Sequence, residues 1–168
     1  LKLMLLAAGG TGRLLDPSDA SAQTNSFVSK WHEWPNMRWA GPEYWGNRLQ
    51  DWGVREGALE CRTRAPDRTL YCLTHRAEGE GFESRVTVDP SPLGRGTLAT
   101  ARAGFRVGTK GRFDDYRSAA VHGTGLDAGV DGAGALFIGD VRSAMRLPLS
   151  APLHLHLRAT GAGRRSVL

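Results

Sequence analysis

The strongest constraint on this chain is a period of two. From residue 55 onward, apolar and polar side chains alternate in short runs, and turn-forming clusters punctuate the runs at about 8–12-residue intervals. Successive side chains of a strand point to opposite faces, so such a run buries one face and solvates the other. Phe82, Ser84, Val86 and Val88 alternate with Glu83, Arg85 and Thr87. Ala103, Phe105 and Val107 alternate with Arg102, Gly104 and Arg106, and Tyr116, Ser118 and Ala120 with Arg117, Ala119 and Val121. Leu153, Leu155, Leu157 and Ala159 alternate with His154, His156 and Arg158. Further strands are predicted over 57–62, 69–74, 126–130 and 134–138. Turns are predicted at 65–68, 78–81, 89–92, 108–111 and 131–134. No segment after residue 55 carries a 3.6-residue stripe. The pattern predicts an all-β protein, an antiparallel jelly-roll-like β-sandwich over 41–160. Its expected core includes Phe82, Val86, Phe105, Val107, Leu136, Leu155 and Leu157.

The length, 168 residues, suits one core. Gly is frequent, at 22 residues, but follows no collagen-like period and reads as turns. No apolar run reaches the length of an integral membrane span. The net charge of +5 belongs entirely to Arg142, Arg146, Arg158, Arg164 and Arg165, since residues 1–140 carry 17 basic and 17 acidic side chains. A basic excess confined to one end is not the footprint of a nucleic-acid-binding fold, and no nucleic-acid partner is expected.

The opening LKLMLLAAGGTGRLL is a short apolar run followed by Ala20-Ser21-Ala22. That order predicts an export-signal remnant over 1–22, with Gln23 as the first mature residue. A buried helix is the alternative, but Gly9, Gly10 and Gly12 would break it. Leu1-Lys2 match the last two positions of a twin-arginine motif, which points to export into the periplasm or beyond. Residues 23–40 form a Trp-rich arm. Residues 161–168 read as a turn and the start of a further strand, so a truncated continuation is expected at that end.

All five tryptophans, Trp31, Trp34, Trp39, Trp45 and Trp52, lie near Tyr44 in one segment. Such rings either stack on sugar faces or pack across a sandwich edge. Cys61 and Cys72 would stand opposite each other if 57–62 and 69–74 formed a hairpin turning at Pro66-Asp67. They are then either a disulfide or two buried thiols. His154 and His156 share a strand face but lack further ligands at a metal-site spacing. No zincin, nucleophile-elbow or Walker motif occurs, and Gly94-Arg95-Gly96 and Gly132-Ala133-Gly134 open no helix pattern, so no catalytic residue is assigned. One polar cluster is a candidate ligand site: Asp114, Asp115, Tyr116, Arg117, His122 and Asp127. Together these could grip a polyol or a structural calcium ion, or two of the carboxylates could act on a glycosidic bond. Otherwise the cluster is a solvated hairpin with a salt bridge.

Tyr44-Trp45-Gly46-Asn47-Arg48-Leu49-Gln50-Asp51-Trp52, Gly57-Ala58-Leu59-Glu60-Cys61, Ala103-Gly104-Phe105-Arg106-Val107-Gly108, Asp114 to Ser118, His122 to Val130 and Leu136-Phe137-Ile138-Gly139 form a pattern. Over about 40–140 it resembles the concanavalin A-like (laminin G-like) domain ahead of the catalytic domain in exported alkaline phosphatase D-like metallophosphatases. It is also similar to the 3-keto-disaccharide hydrolase domain. The resemblance implies a recognition or positioning module for a glycan or extracellular polymer, with a downstream catalytic domain in the same parent chain. The divalent metals of that phosphatase domain would be held by later Asp, Asn and His residues, none of which matches a position here. The rival readings it leaves open are a glycan-cleaving jelly roll and a purely structural packing module.

Overall fold

A computed structural model describes residues 2–4, 26–75, 81–90 and 100–160. The strands are β1 (Lys2–Met4), β2 (Tyr44–Asn47), β3 (Trp52–Arg55), β4 (Ala58–Cys61), β5 (Thr69–Cys72), β6 (Gly81–Asp89), β7 (Arg102–Lys110), β8 (Thr124–Asp131), β9 (Ala135–Ile138), β10 (Val141–Arg146) and β11 (Leu153–Thr160). One α-helix, α1 (Tyr116–His122), and two short 3₁₀ turns complete the described elements. The chain is an all-β sandwich of antiparallel sheets, as the alternation predicts. Most of the export-signal segment, Gly94-Arg95-Gly96 and residues 161–168 lie outside the described residues.

The first sheet runs β11-β6-β1-β4-β3, the second β10-β9-β8-β7, and β2 pairs with β5 in a small third sheet. Register sets the packing. Leu153 pairs with Val88 and Leu59 with Val54, and β1 lies between these pairs, with Leu3 in register with both Val88 and Leu59. Opposite residues of an antiparallel pair share a face. The second sheet covers the β6–β11 half of that face, where Val86, Val88 and Leu155 meet Val130, Ala103 and Phe105. The arm and the β2–β5 pair close the other half around Trp31, Ala40, Tyr44, Trp52, Val54 and Leu59.

Local chemistry explains the connections. Glu56 and Gly57 both have positive φ, 50° and 73°, the pair of left-handed positions that a two-residue hairpin between β3 and β4 requires. The Asp131 carboxylate accepts the Ala133 and Ala135 amides, each at 3.0 Å, and closes the predicted turn at 131–134.

Three expectations are corrected. Residues 116–121 are helix, not strand. Asp115 caps the helix by accepting the Arg117 amide at 2.8 Å, and Ala119 and Ala120 form its buried stripe. The 57–62/69–74 hairpin does not form, because β4 pairs with β3 and β1 while β5 pairs with β2. Leu136 is 36% exposed, and Phe137, on the opposite face of β9, is buried at 5%. Val86 and Leu155 are buried as expected, whereas Phe82, Phe105, Val107 and Leu157 are only half-buried. Leu126, Ile138, Val141 and Met145 of the second sheet remain exposed.

Candidate functional site

The predicted cluster divides into two places. Asp114 to Arg117 and His122 lie on α1 and the turn before it. Asp127 lies on β8, opposite Arg106 of β7. On the helix, Asp115 both caps the N-terminus and faces the Arg117 Nε at 3.6 Å. Tyr116 is 45% exposed, and its ring meets Trp45 of β2 edge-on, with centroids 6.2 Å apart at 74°. The Arg117 guanidinium lies 5.6 Å from the Tyr116 centroid, and Arg112 lies 5.5 Å from that of the exposed Phe113. Phe113 was not among the predicted ligand residues, although its place in Arg112-Phe113-Asp114-Asp115 would have marked it. The helix is held to the third sheet by the Thr69 hydroxyl, which donates to the Ala120 carbonyl at 3.0 Å. The result is an exposed Tyr116 ring set against Trp45, with Arg117 and Asp115 beside it. Rings offer apolar faces to a pyranose, and guanidinium and carboxylate groups can orient its hydroxyls.

Asp127 is engaged elsewhere. Arg106 donates to it twice, at 2.6 and 2.9 Å, and also approaches Asp67 at 3.7 Å. The Arg106 hydrogen bonds hold the Asp127 carboxyl below the usual carboxylate range. Its stabilising effect is therefore complete at neutral pH and fades as pH falls below about 4, through its folded-state value. Asp127→Asn should lower the urea midpoint at pH 7, with the gap from wild type narrowing towards pH 2. A constant gap across that range would show that the pair does not support the fold through its charge.

The tryptophans mostly pack. Trp31 and Trp52 are buried, and the Trp31 indole donates to the Ala40 carbonyl at 3.0 Å. Ser29 and Tyr44 share a buried hydrogen bond, and burial pushes the Tyr44 phenol well up. Trp39 is exposed, and Trp45 is half-buried beside Tyr116. Cys61 pairs with Trp52 and Cys72 with Tyr44, and both are free thiols packed on the same core. Burial pushes the Cys61 thiol up. His154 meets the Thr87 hydroxyl at 2.8 Å and His156 the Glu83 carboxylate at 3.2 Å. Among the described residues, no group of three or more His, Cys, Asp or Glu is arranged to hold a metal ion. No described helix is long and apolar enough to cross a membrane.

No family model, curated protein or solved structure matches this chain. The resemblance to the alkaline phosphatase D-like N-terminal domain therefore rests on the sequence motifs alone.

Proposed function

We propose that this chain is a non-catalytic recognition module for a glycan or similarly hydroxylated polymer, using the surface built on α1. The observation that carries the reading is the exposed Tyr116 ring, propped edge-on by Trp45 with Arg117 and Asp115 beside it. The carboxylates support binding over cleavage. Asp115 serves as a helix cap, and Asp127 is kept ionised by Arg106, so neither stands as a proton donor. In an exported alkaline phosphatase D-like hydrolase, such a module would hold polymer close to a catalytic domain elsewhere in the parent chain.

Affinity electrophoresis through gels containing neutral polysaccharides tests the reading. At least one neutral polymer should retard the chain, and Tyr116→Ala or Arg117→Ala should weaken retardation by about tenfold, the scale of one lost ring or charged hydrogen bond. Asp115→Asn preserves the cap and isolates the role of charge. Absence of retardation by every neutral polymer, or no change in these variants, would remove the proposal.

A further inference from the structure

The outer face of the second sheet carries a separate arrangement. Arg102, Gly104 and Arg106 on β7 pair with Asp131, Gly129 and Asp127 on β8. Gly129 pairs with Phe137 on β9, and Phe137 and Ala135 pair with Arg142 and Arg146 on β10. All these positions share one face, opposite the one on which Val130 enters the core. Two of the four positions in the row through Phe137 are glycines, so a single ring dominates it. Arg102 and Arg142 cover that ring, their guanidinium carbons 5.5 and 5.2 Å from its centroid. Arg106 is matched by Asp127. Arg102, Arg142 and Arg146, all exposed, then outnumber Asp131 on this face, and Arg142 and Arg146 also donate to the Gly139 and Ser143 carbonyls at 3.2 and 2.5 Å. The Asp131 carboxylate already accepts two backbone amides and meets the Arg142 Nε at 3.5 Å.

We propose that this face binds an acidic polysaccharide through Arg102, Arg142 and Arg146. Guanidinium groups pair in fork geometry with carboxylates and sulfates, and a head already resting on a ring loses less freedom when it binds. The arginines stand on the two edge strands of the sheet, and the heads of Arg102 and Arg142 converge over the Phe137 ring between them. Such convergence suits neighbouring charged groups of one sugar chain. Single-stranded nucleic acid needs open aromatic faces on which bases stack, whereas the Phe137 ring is closed by two guanidiniums. This site does not depend on the surface around Tyr116.

The test is affinity electrophoresis of the full 168-residue chain in polygalacturonate gels, with single-stranded DNA of mixed sequence as a comparator. Polygalacturonate should retard the chain in a salt-dependent way. Arg102→Gln with Arg142→Gln should weaken retardation at least about tenfold. That pair uncovers Phe137, so Arg146→Gln, which leaves the ring covered, serves as the second variant and should weaken retardation severalfold with an unchanged melting curve. Unchanged retardation in Arg146→Gln and in a folded double variant, tighter binding of DNA than of polygalacturonate, or no retardation at all would overturn the proposal.

Discussion

Trp31→Ala should destabilise the chain by about 3–5 kcal/mol, the usual cost of emptying a buried aromatic site. Trp31 is 2% exposed, belongs to the cluster with Tyr44, Trp52, Val54 and Leu59, and meets the Tyr44 ring at 5.0 Å. Its indole also satisfies the Ala40 carbonyl, a bond worth about 1 kcal/mol. Trp31→Phe keeps much of the packing and loses that bond, so it should fall between wild type and the alanine variant. Urea denaturation gives the ordering, and Trp31→Ala should also lower the melting temperature by roughly 10 °C for a chain of this size. A cost under about 1 kcal/mol would mean that the arm is an appendage and not part of the core.

The second large effect lies in the other sheet. Phe137→Ala should cost about 1.5–3 kcal/mol, the scale of one buried aromatic side chain, while the adjacent Leu136→Ala should cost under about 1 kcal/mol. The contrast follows from a strand's alternation. Phe137 is buried beneath Arg102 and Arg142, and Leu136 faces the other way, partly in solvent. Reversal of the order in urea denaturation would mean that β9 is flipped.

Leu136 shows where sequence reasoning stopped. The run 135–138 is apolar at every position, so it contains no alternation from which to choose a face. Leu136 pairs with Val130 on the core-entering face but stays partly in solvent, while Phe137 on the other face is buried by arginine side chains from β7 and β10, which a sequence cannot bring together. Strands β6, β7, β8 and β11 were legible because their polar and apolar positions do alternate, and the turn at 131–134 because Asp and Gly carry its mechanism. Helix α1 was missed because seven residues are too few to display a stripe against a fortuitous alternation. Its signal was Asp115 ahead of Ala119 and Ala120. Tyr116, Arg117 and Asp115 were recognisable as neighbours along the chain, whereas Trp45 joined them only through the β2–α1 contact. Asp127 was grouped with them by proximity in sequence, but strand pairing gives it to Arg106. The cysteine hairpin failed for a similar reason: a plausible turn at Pro66-Asp67 lost to long-range pairing of both strands.

The place of β1 has a kinetic consequence. It lies between β4 and β6, so Lys2–Met4 are the seam joining the β3–β4 hairpin to the β6–β11 pair. The hairpin closes through neighbours in sequence. The seam requires the first residues of the chain to find Leu59 and Val88, which brings in the entropy of closing long loops. The hairpin should therefore form early and the seam late, so that β1 joins the two parts of the first sheet only after the hairpin is in place.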